Sequence, residues 1–232
     1  MEKQFNLKNI TKVYPDHSGG TTALKNATLN FKTGEFIAIL GKSGSGKSTL
    51  LNMLSGIDRP TSGEIIYDNR PLHSLTESAL TAWRGKNIGI IFQFFQLIPT
   101  LTILENIILP MDLCSSYPTG NRKNIALDLL NQVEIGEHAN KLPVDLSGGQ
   151  QQRAAIARAL ANNPPFIVAD EPTGNLDTYN ANKVVELFRK MTDDGKTIIM
   201  VTHDTELAKL TDRIITIEDG IITSDLTSRC IN

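Results

Sequence analysis

The stretch Gly41-Lys42-Ser43-Gly44-Ser45-Gly46-Lys47-Ser48-Thr49 has the residue types and spacing to hold a chain of phosphates. It fits the phosphate-loop pattern of Gly, four residues, then Gly-Lys-Ser/Thr. Glycines lack a Cβ, so the backbone can curl and aim successive N–H groups inward. A helix starting here adds unpaired N–H donors and the positive end of its dipole. Lys47 is placed to reach β- and γ-phosphates, and the Ser48 hydroxyl to ligate Mg²⁺. Gly41, Ser43, Gly44, Ser45, Gly46, Lys47, Ser48 and Thr49 are therefore the expected phosphate contacts. The plainer alternative is a glycine-rich turn before a helix.

Further candidates stand just past apolar runs. Asp170 follows Phe166-Ile167-Val168-Ala169, where a carboxylate can hold the Mg²⁺ shell. Its neighbour Glu171 can take a proton from water attacking a terminal phosphate. The alternative for this acidic pair is a helix N-cap. His203 closes Thr197-Ile198-Ile199-Met200-Val201 and would face the same phosphate. Gln93, after Ile88-Gly89-Ile90-Ile91-Phe92, can bind Mg²⁺ or orient water; otherwise it is a polar strand end. The expected catalytic set is thus Glu171, His203, Gln93 and Lys47, and the expected metal set Ser48, Gln93 and Asp170. Ser147-Gly148-Gly149 opens a helix and offers a second anion site. A second site in a chain that already has one phosphate loop suggests two chains sharing a nucleotide. Tyr14 closes a strand; its ring can stack on a base or pack at a sheet edge. His17, His73 and His138 fall in polar loops or turns and receive no role.

The elements that position these residues are legible as periodicities. Glu35-Phe36-Ile37-Ala38-Ile39-Leu40 reads as a buried strand before the loop. Leu50, Leu51 and Leu54 recur at helical spacing after it, with Gly56 as a stop. Phe5 to Tyr14 and Thr22 to Phe31 read as strands, followed by Glu64 to Tyr67, with a loop and short helix up to Trp83. Thr102-Ile103-Leu104-Glu105 fits a capping box, and Pro110 is expected to end or kink that helix. Ser115 to Asn121 reads as a loop, and Ile125, Leu129, Leu130 and Val133 share one helical face. About 96–150 is thus a helical insert. An alanine-rich helix to about Ala161, a helix from about Thr178 to Met191, and a hairpin around Glu218-Asp219-Gly220 complete the chain. Strands alternating with helices predict a parallel sheet with right-handed crossovers. Such sheets bind ligands beyond their carboxyl ends, so Gly41, Gln93, Asp170 and His203 are expected at one site.

The 232 residues carry a net charge of −2, which gives no basic footprint for nucleic acid. Two cysteines, Cys114 and Cys230, lie far apart without metal spacing and read as free thiols in a reducing compartment. Met1-Glu2-Lys3-Gln4 leads into strand-like sequence rather than a secretion signal. No apolar run approaches a membrane span. A soluble chain that can still serve a membrane protein is expected.

Leu146-Ser147-Gly148-Gly149-Gln150 resembles the signature of ABC-type ATPases. With the phosphate loop, Gln93, Asp170-Glu171, Asn175-Leu176-Asp177 and His203, it forms an ordered set spanning nearly the whole chain. The resemblance implies one ATPase domain over 1–232 with an α/β phosphate-loop core. That core has a mixed, largely parallel sheet, an N-terminal antiparallel β-subdomain and the helical insert. It implies ATP and Mg²⁺, and a homodimer with nucleotide sandwiched between copies. Tyr14 resembles the adenine-stacking aromatic, and Gln93 the glutamine joining the Mg²⁺ site to a membrane partner. Ser147 and Gly149, within the signature that also includes Gly148 and Gln150, resemble residues that contact the γ-phosphate of ATP held by the other subunit. Asp177 resembles the residue linking the two sites, and His203 the switch histidine.

A narrower resemblance rests on Phe92 to Thr102, Glu105-Asn106 and Ala169 to Asp177. These are similar to the branch serving macrolide exporters and lipoprotein-release machines. Members pair with an integral membrane permease that often carries a large extracytoplasmic domain, which places the ATPase on the inner face of the cell membrane. Phe94-Phe95 departs from the branch pattern, which has a more polar residue first. A transporter subunit is the leading expectation. A signalling or cell-division ATPase acting on a membrane protein is the alternative. A nucleic-acid ATPase of this kind usually needs a second fused ATPase domain or a long coiled coil, and the chain has neither.

Overall fold

The apolar runs assemble into two sheets. The structure is a computed structural model and describes residues 4–15 and 19–227; His17 and Cys230 lie outside them. The first sheet is antiparallel and holds β1 (Gln4–Tyr14), β2 (Thr21–Lys32), β4 (Ser62–Tyr67) and the short β5 (Arg70–Pro71), in the order β2-β1-β4-β5. Phe5 stands opposite Phe31 on one side and Tyr67 on the other. Phe5, Leu7, Leu29 and Phe31 turn to the buried face while Asn30 and Lys32 stay exposed, the alternation of a half-buried sheet.

The second sheet holds β3 (Phe36–Leu40), β6 (Ile88–Ile91), β7 (Phe166–Asp170), β8 (Thr197–Thr202), β9 (Arg213–Glu218) and β10 (Ile221–Thr227). Its order is β10-β9-β3-β8-β7-β6, parallel throughout except for the β9–β10 hairpin. Helices or the other sheet cover both faces, so β8 is buried along its whole length and β3 and β7 nearly so. Between the sheets, Phe5, Tyr67, Trp83 and Phe166 meet edge-to-face with ring centroids 5.2–6.0 Å apart. Burying each such ring is worth about 1.5–3 kcal/mol. This knot locks the antiparallel sheet onto the parallel one.

Helix α1 (Lys47–Ser55) packs Leu50, Met53 and Leu54 into the core and ends at Gly56, whose φ of 66° suits a glycine. Helix α2 (Glu77–Asn87) runs directly into β6, further than a short helix ending near Trp83. The insert contains α3 (Ile103–Cys114) and α4 (Thr119–Gln132), so the expected loop from Ser115 is shorter than its polarity suggests. The capping box at α3 is formed: Thr102 Oγ1 accepts the Glu105 N–H at 3.2 Å and the Thr102 N–H donates to Glu105 Oε2 at 2.7 Å. Pro110 does not end α3, which continues to Cys114. One lost backbone bond is outweighed by burial of Ile103, Leu104, Ile107 and Met111 along the helix face. Helix α5 (Gly148–Leu160) joins the insert to β7, and α6 (Thr178–Asp193) joins β7 to β8. The short α7 (Thr205–Lys209) leads into β9. No helix among the described residues is long and apolar enough to cross a membrane.

Candidate active site

The parallel order β3-β8-β7-β6 brings four strand ends to one edge of the sheet. Gly41 follows β3, Gln93 stands two residues past β6, Asp170 ends β7, and His203 follows β8. A cleft of about 270 Å³ opens there. Ser43, Gly44, Gly46, Lys47, Ser48, Thr49, Gln93, Asp170 and Glu171 line it; of the four strand-end residues Gln93 and Asp170 border the cleft directly, while Gly41 leads into the loop and His203 stands in the neighbouring hollow shared with Glu171.

Two glycines show why the loop can form. Gly46, at the N-cap of α1, has φ 104°, and an added Cβ would lie 2.4 Å from the Ala23 carbonyl oxygen. At Gly41 an added Cβ would lie 2.4 Å from both the Ile217 carbonyl oxygen and Ser45 Oγ. Ser45 itself is buried behind the cleft, and its carbonyl accepts the Gly220 N–H at 2.9 Å, which ties the loop to the β9–β10 turn. No side chain caps α1, so its first N–H groups remain available to a ligand. Lys47 is only 6 % exposed, and its ammonium donates to the Gly41 and Lys42 carbonyls at 2.8 and 2.7 Å. An ammonium has three donors, so one is left for a phosphate.

The acidic pair does not cap a helix. Asp177 caps α6 instead, through its carboxylate and the Asn180 N–H at 2.8 Å. The Asn180 hydrogen bonds, backbone first, hold the Asp177 carboxyl below its ordinary range. Burial raises the Asp170 carboxyl above its ordinary range, and the Glu171 charge adds to this, while a hydrogen bond from Ser48 and the Lys47 charge oppose it. Ser48 and Asp170 thus put two hard oxygen donors together beside Gln93, a donor set that fits Mg²⁺.

Glu171 sits at φ 44°, a left-handed conformation that costs a non-glycine residue about 1–3 kcal/mol. Its N–H donates to the Val201 carbonyl at 3.0 Å and its carbonyl accepts from Gly174 at 3.1 Å, which holds the strained turn. The result aims Glu171 Oε2 at His203 Nδ1, 2.7 Å away. A carboxylate only accepts, so this contact puts the proton on Nδ1. Asn175 Nδ2 donates to the Gln93 carbonyl at 3.0 Å, linking the Gln93 segment to the turn after Glu171.

Two expected groups stand off the cleft. Tyr14 is half-buried, its hydroxyl donates to Asp58 Oδ2 at 3.0 Å, and the Lys12 ammonium lies 4.8 Å from its ring centroid. None of Ser147, Gly148, Gly149 and Gln150 lines the phosphate cleft of its own chain. Ser147 caps α5: its hydroxyl accepts the Gln150 N–H at 3.4 Å, and Gln150 Oε1 accepts the Ser147 N–H at 2.9 Å. Gly149 lies against α6, where an added Cβ would come 3.2 Å from the Asn180 amide.

Sequence reasoning missed the residues that hold the segment after Gln93. The Arg158 guanidinium donates to the Phe95 carbonyl at 2.7 Å and the Gln96 carbonyl at 2.5 Å, where the backbone turns through φ 57° and 50°. Asn106 is fully buried and ties Ile98, Leu101 and Thr102 to α3. An arginine inside an alanine-rich helix and an asparagine on an apolar face were the available signals. His73 makes contacts to the backbone of Ile65 and stays outside the cleft.

A lysine enclosed by a glycine loop at a helix start, with an acidic pair and a histidine on neighbouring strand ends, defines a phosphate-loop nucleoside triphosphatase. Residues 24–174 match the ABC transporter family model. The chain is 49% identical over 218 residues to the uncharacterized ABC transporter ATP-binding protein MJ0796 of Methanocaldococcus jannaschii, covering 92% of this chain and 93% of that one. It is 43% identical over 227 residues to the lipoprotein-releasing system ATP-binding protein LolD of Aquifex aeolicus, covering 98% and 99%. A solved dimeric structure of MJ0796, in a post-hydrolysis state bound to ADP and Pi, matches with a TM-score of 0.90 at 46% identity, covering 97% of this chain and 99% of that one. The chain belongs to the ABC transporter family and is an ATP-binding, ATP-hydrolysing subunit of that type. Uncharacterized relatives stand beside the lipoprotein-releasing one at comparable identity, so the comparisons reach the family and not the narrower branch.

Proposed function

We propose that two copies of this chain sandwich two ATP molecules and that their hydrolysis drives a membrane permease, with the ATPase peripheral on the cytoplasmic face. The contact between Glu171 Oε2 and His203 Nδ1, at 2.7 Å on the rim of the phosphate cleft, carries the reading. In this mechanism the loop N–H groups and Lys47 bind the β- and γ-phosphates. Mg²⁺, held by Ser48 and Asp170 with Gln93 beside them, would neutralise charge on the phosphate oxygens. His203 orients the Glu171 carboxylate, whose other oxygen can take a proton from the attacking water. Ser147 and Gly149, which do not line their own chain's phosphate cleft, would reach the nucleotide of the second copy, and Asp177 would connect the two sites. Tyr14 would stack on adenine, its hydroxyl anchored by Asp58.

The permease reading is supported by a mostly apolar groove of about 640 Å³ between α2, β6, α3 and α5, with Phe92 and Gln96 on its wall and Leu113 at its rim. Phe94 beside it is 72% exposed. Such a groove, continuous with the Gln93 segment, suits a short cytoplasmic helix of the membrane subunit. We read 1–232 as one ATPase domain whose insert, about 96–150, supplies one wall of that groove through Leu109, Pro110, Leu113 and Cys114. The motif around Phe92 to Thr102 and the LolD relative support the macrolide-export and lipoprotein-release branch; the permease would choose the cargo. The direct test is Glu171→Gln, which should keep ATP binding and lower hydrolysis by roughly 10²-fold or more. Retained turnover would remove Glu171 from the base role and the mechanism with it.

A further inference from the structure

His138 belongs to no motif and closes a short turn, Gly136–His138, ahead of α5. Its side chain is 12% exposed, and its Nε2 lies 2.8 Å from Gln150 Nε2. The Gln150 amide is not free to flip. Its Oε1 accepts the Ser147 N–H, so its NH₂ must face the imidazole; the reverse would set two N–H donors against each other. His138 Nε2 is therefore the acceptor, which puts the proton of the neutral ring on Nδ1, a buried nitrogen without a hydrogen-bond partner among the described residues, so the contact is made at the cost of one unpaired N–H. A doubly protonated ring would oppose a second donor to the Gln150 NH₂.

One carboxylate stands beside the same nitrogen. Glu137 Oε1 lies 3.4 Å from the same Nε2, and no other carboxylate oxygen among the described residues is within 4.0 Å of the His138 ring nitrogens. From α5 the ring meets the uncharged Gln150, and Arg153 one turn on is paired with Glu134 at 3.7 Å. Lys141 approaches through its backbone N–H, which donates to the His138 carbonyl at 3.0 Å.

We propose that His138 is a positioning residue of the signature loop. Its ring, accepting from the Gln150 NH₂, holds Gln150 in the capping box that opens α5 at Ser147. The consequence for turnover rests on the shared-site reading of Ser147 and Gly149. The contact itself does not.

Nitrogen-15 NMR of histidine-labelled full-length protein at about pH 8 tests the contact alone. An acceptor-type Nε2 and a protonated Nδ1 are expected for His138; the opposite tautomer overturns the proposal without touching the shared site. ATP hydrolysis of wild type, His138→Ala and His138→Gln at about pH 8 tests the consequence. His138→Ala should lower kcat roughly two- to tenfold, the loss expected for one hydrogen bond, with KM nearly unchanged. His138→Gln, which can accept from Gln150, should restore most of that turnover. Equal losses in His138→Ala and His138→Gln, or no loss in either, overturn the proposal.

Discussion

Replacing Asn106 by alanine probes how the segment after Gln93 is held over α3. Asn106 is fully buried: Oδ1 accepts the Ile98 N–H at 2.8 Å, and Nδ2 lies 3.1, 3.1 and 3.0 Å from the carbonyls of Ile98, Leu101 and Thr102. The Thr102 carbonyl keeps its bond from the Asn106 N–H, so its loss is small. The Ile98 N–H and carbonyl and the Leu101 carbonyl lose this anchor, and each such group costs about 1–3 kcal/mol if it stays unpaired. Ile98 is 36% exposed, so water can recover part of that. The expected destabilisation is about 2–4 kcal/mol, well inside a total of about 5–15. It corresponds to a fall in Tm of roughly 5–15 °C for a chain of this size. Urea unfolding should show a lower midpoint with an unchanged slope, and the folded variant should still hydrolyse ATP at low temperature. A loss below about 0.5 kcal/mol, the scale of an ordinary surface change, would refute the anchoring role.

Gly46→Ala should weaken ATP binding by roughly tenfold or more, since it combines a strained φ with an overlap on the Ala23 carbonyl. Gly44→Ala shares the positive φ but meets open space and should lose less; equal losses by calorimetry would contradict the overlap argument. Burial alone would raise the Asp58 carboxyl, but Lys12, the Arg59 N–H and Tyr14 together hold it below its ordinary range. The folded carboxyl therefore binds its proton more weakly than the unfolded one. Its stabilisation is fully present above about pH 4 and is lost as pH falls through the folded value. Melts of wild type and Asp58→Asn should accordingly converge below about pH 4, and a gap that ignores pH would count against the ion pair. Phe94→Ser should leave soluble ATPase intact and weaken co-purification with the membrane subunit, because this ring is 72% exposed. Phe95 is half-buried and approaches Gly148, so it is the poorer probe; unchanged assembly in Phe94→Ser would move the docking surface elsewhere.

Much of the site was legible because its signals are local. The phosphate loop, the strands before it and before Asp170, the Thr102 capping box and the Glu218–Gly220 hairpin each depend on neighbours within a few residues. Alternating strands and helices were enough to place Gly41, Gln93, Asp170 and His203 on one edge. The strand order was not legible, because it rests on partners far apart in sequence: β3 pairs with β8 and β9, not with its sequence neighbours. Arg158 bonding across to Phe95 and Gln96, 63 and 62 residues away, left no periodic trace. Pro110 does not end its helix, for the opposite reason. Its local rule is sound, but a buried helix face overrides a single missing hydrogen bond. His138 read as a loop histidine because its partner, Gln150, becomes its neighbour only when the turn at Gly136–His138 folds back on α5. The apolar segment after Gln93 divided in a way that composition does not reveal, with Leu97 packed on the core and Phe94 in solvent.

The central claim is that each active site takes its phosphate loop from one chain and its signature from another. Lys47→Ala should be inactive because it removes the enclosed ammonium, and Ser147→Arg because it places a bulky cation at the signature helix start. Mixed in equal amounts under conditions where the chains exchange, half of the dimers are mixed, and each mixed dimer holds one intact site. ATP hydrolysis should therefore recover to roughly a quarter of the wild-type rate if one site can turn over alone. Mixtures that remain inactive while mixed dimers are demonstrably present would contradict the shared site.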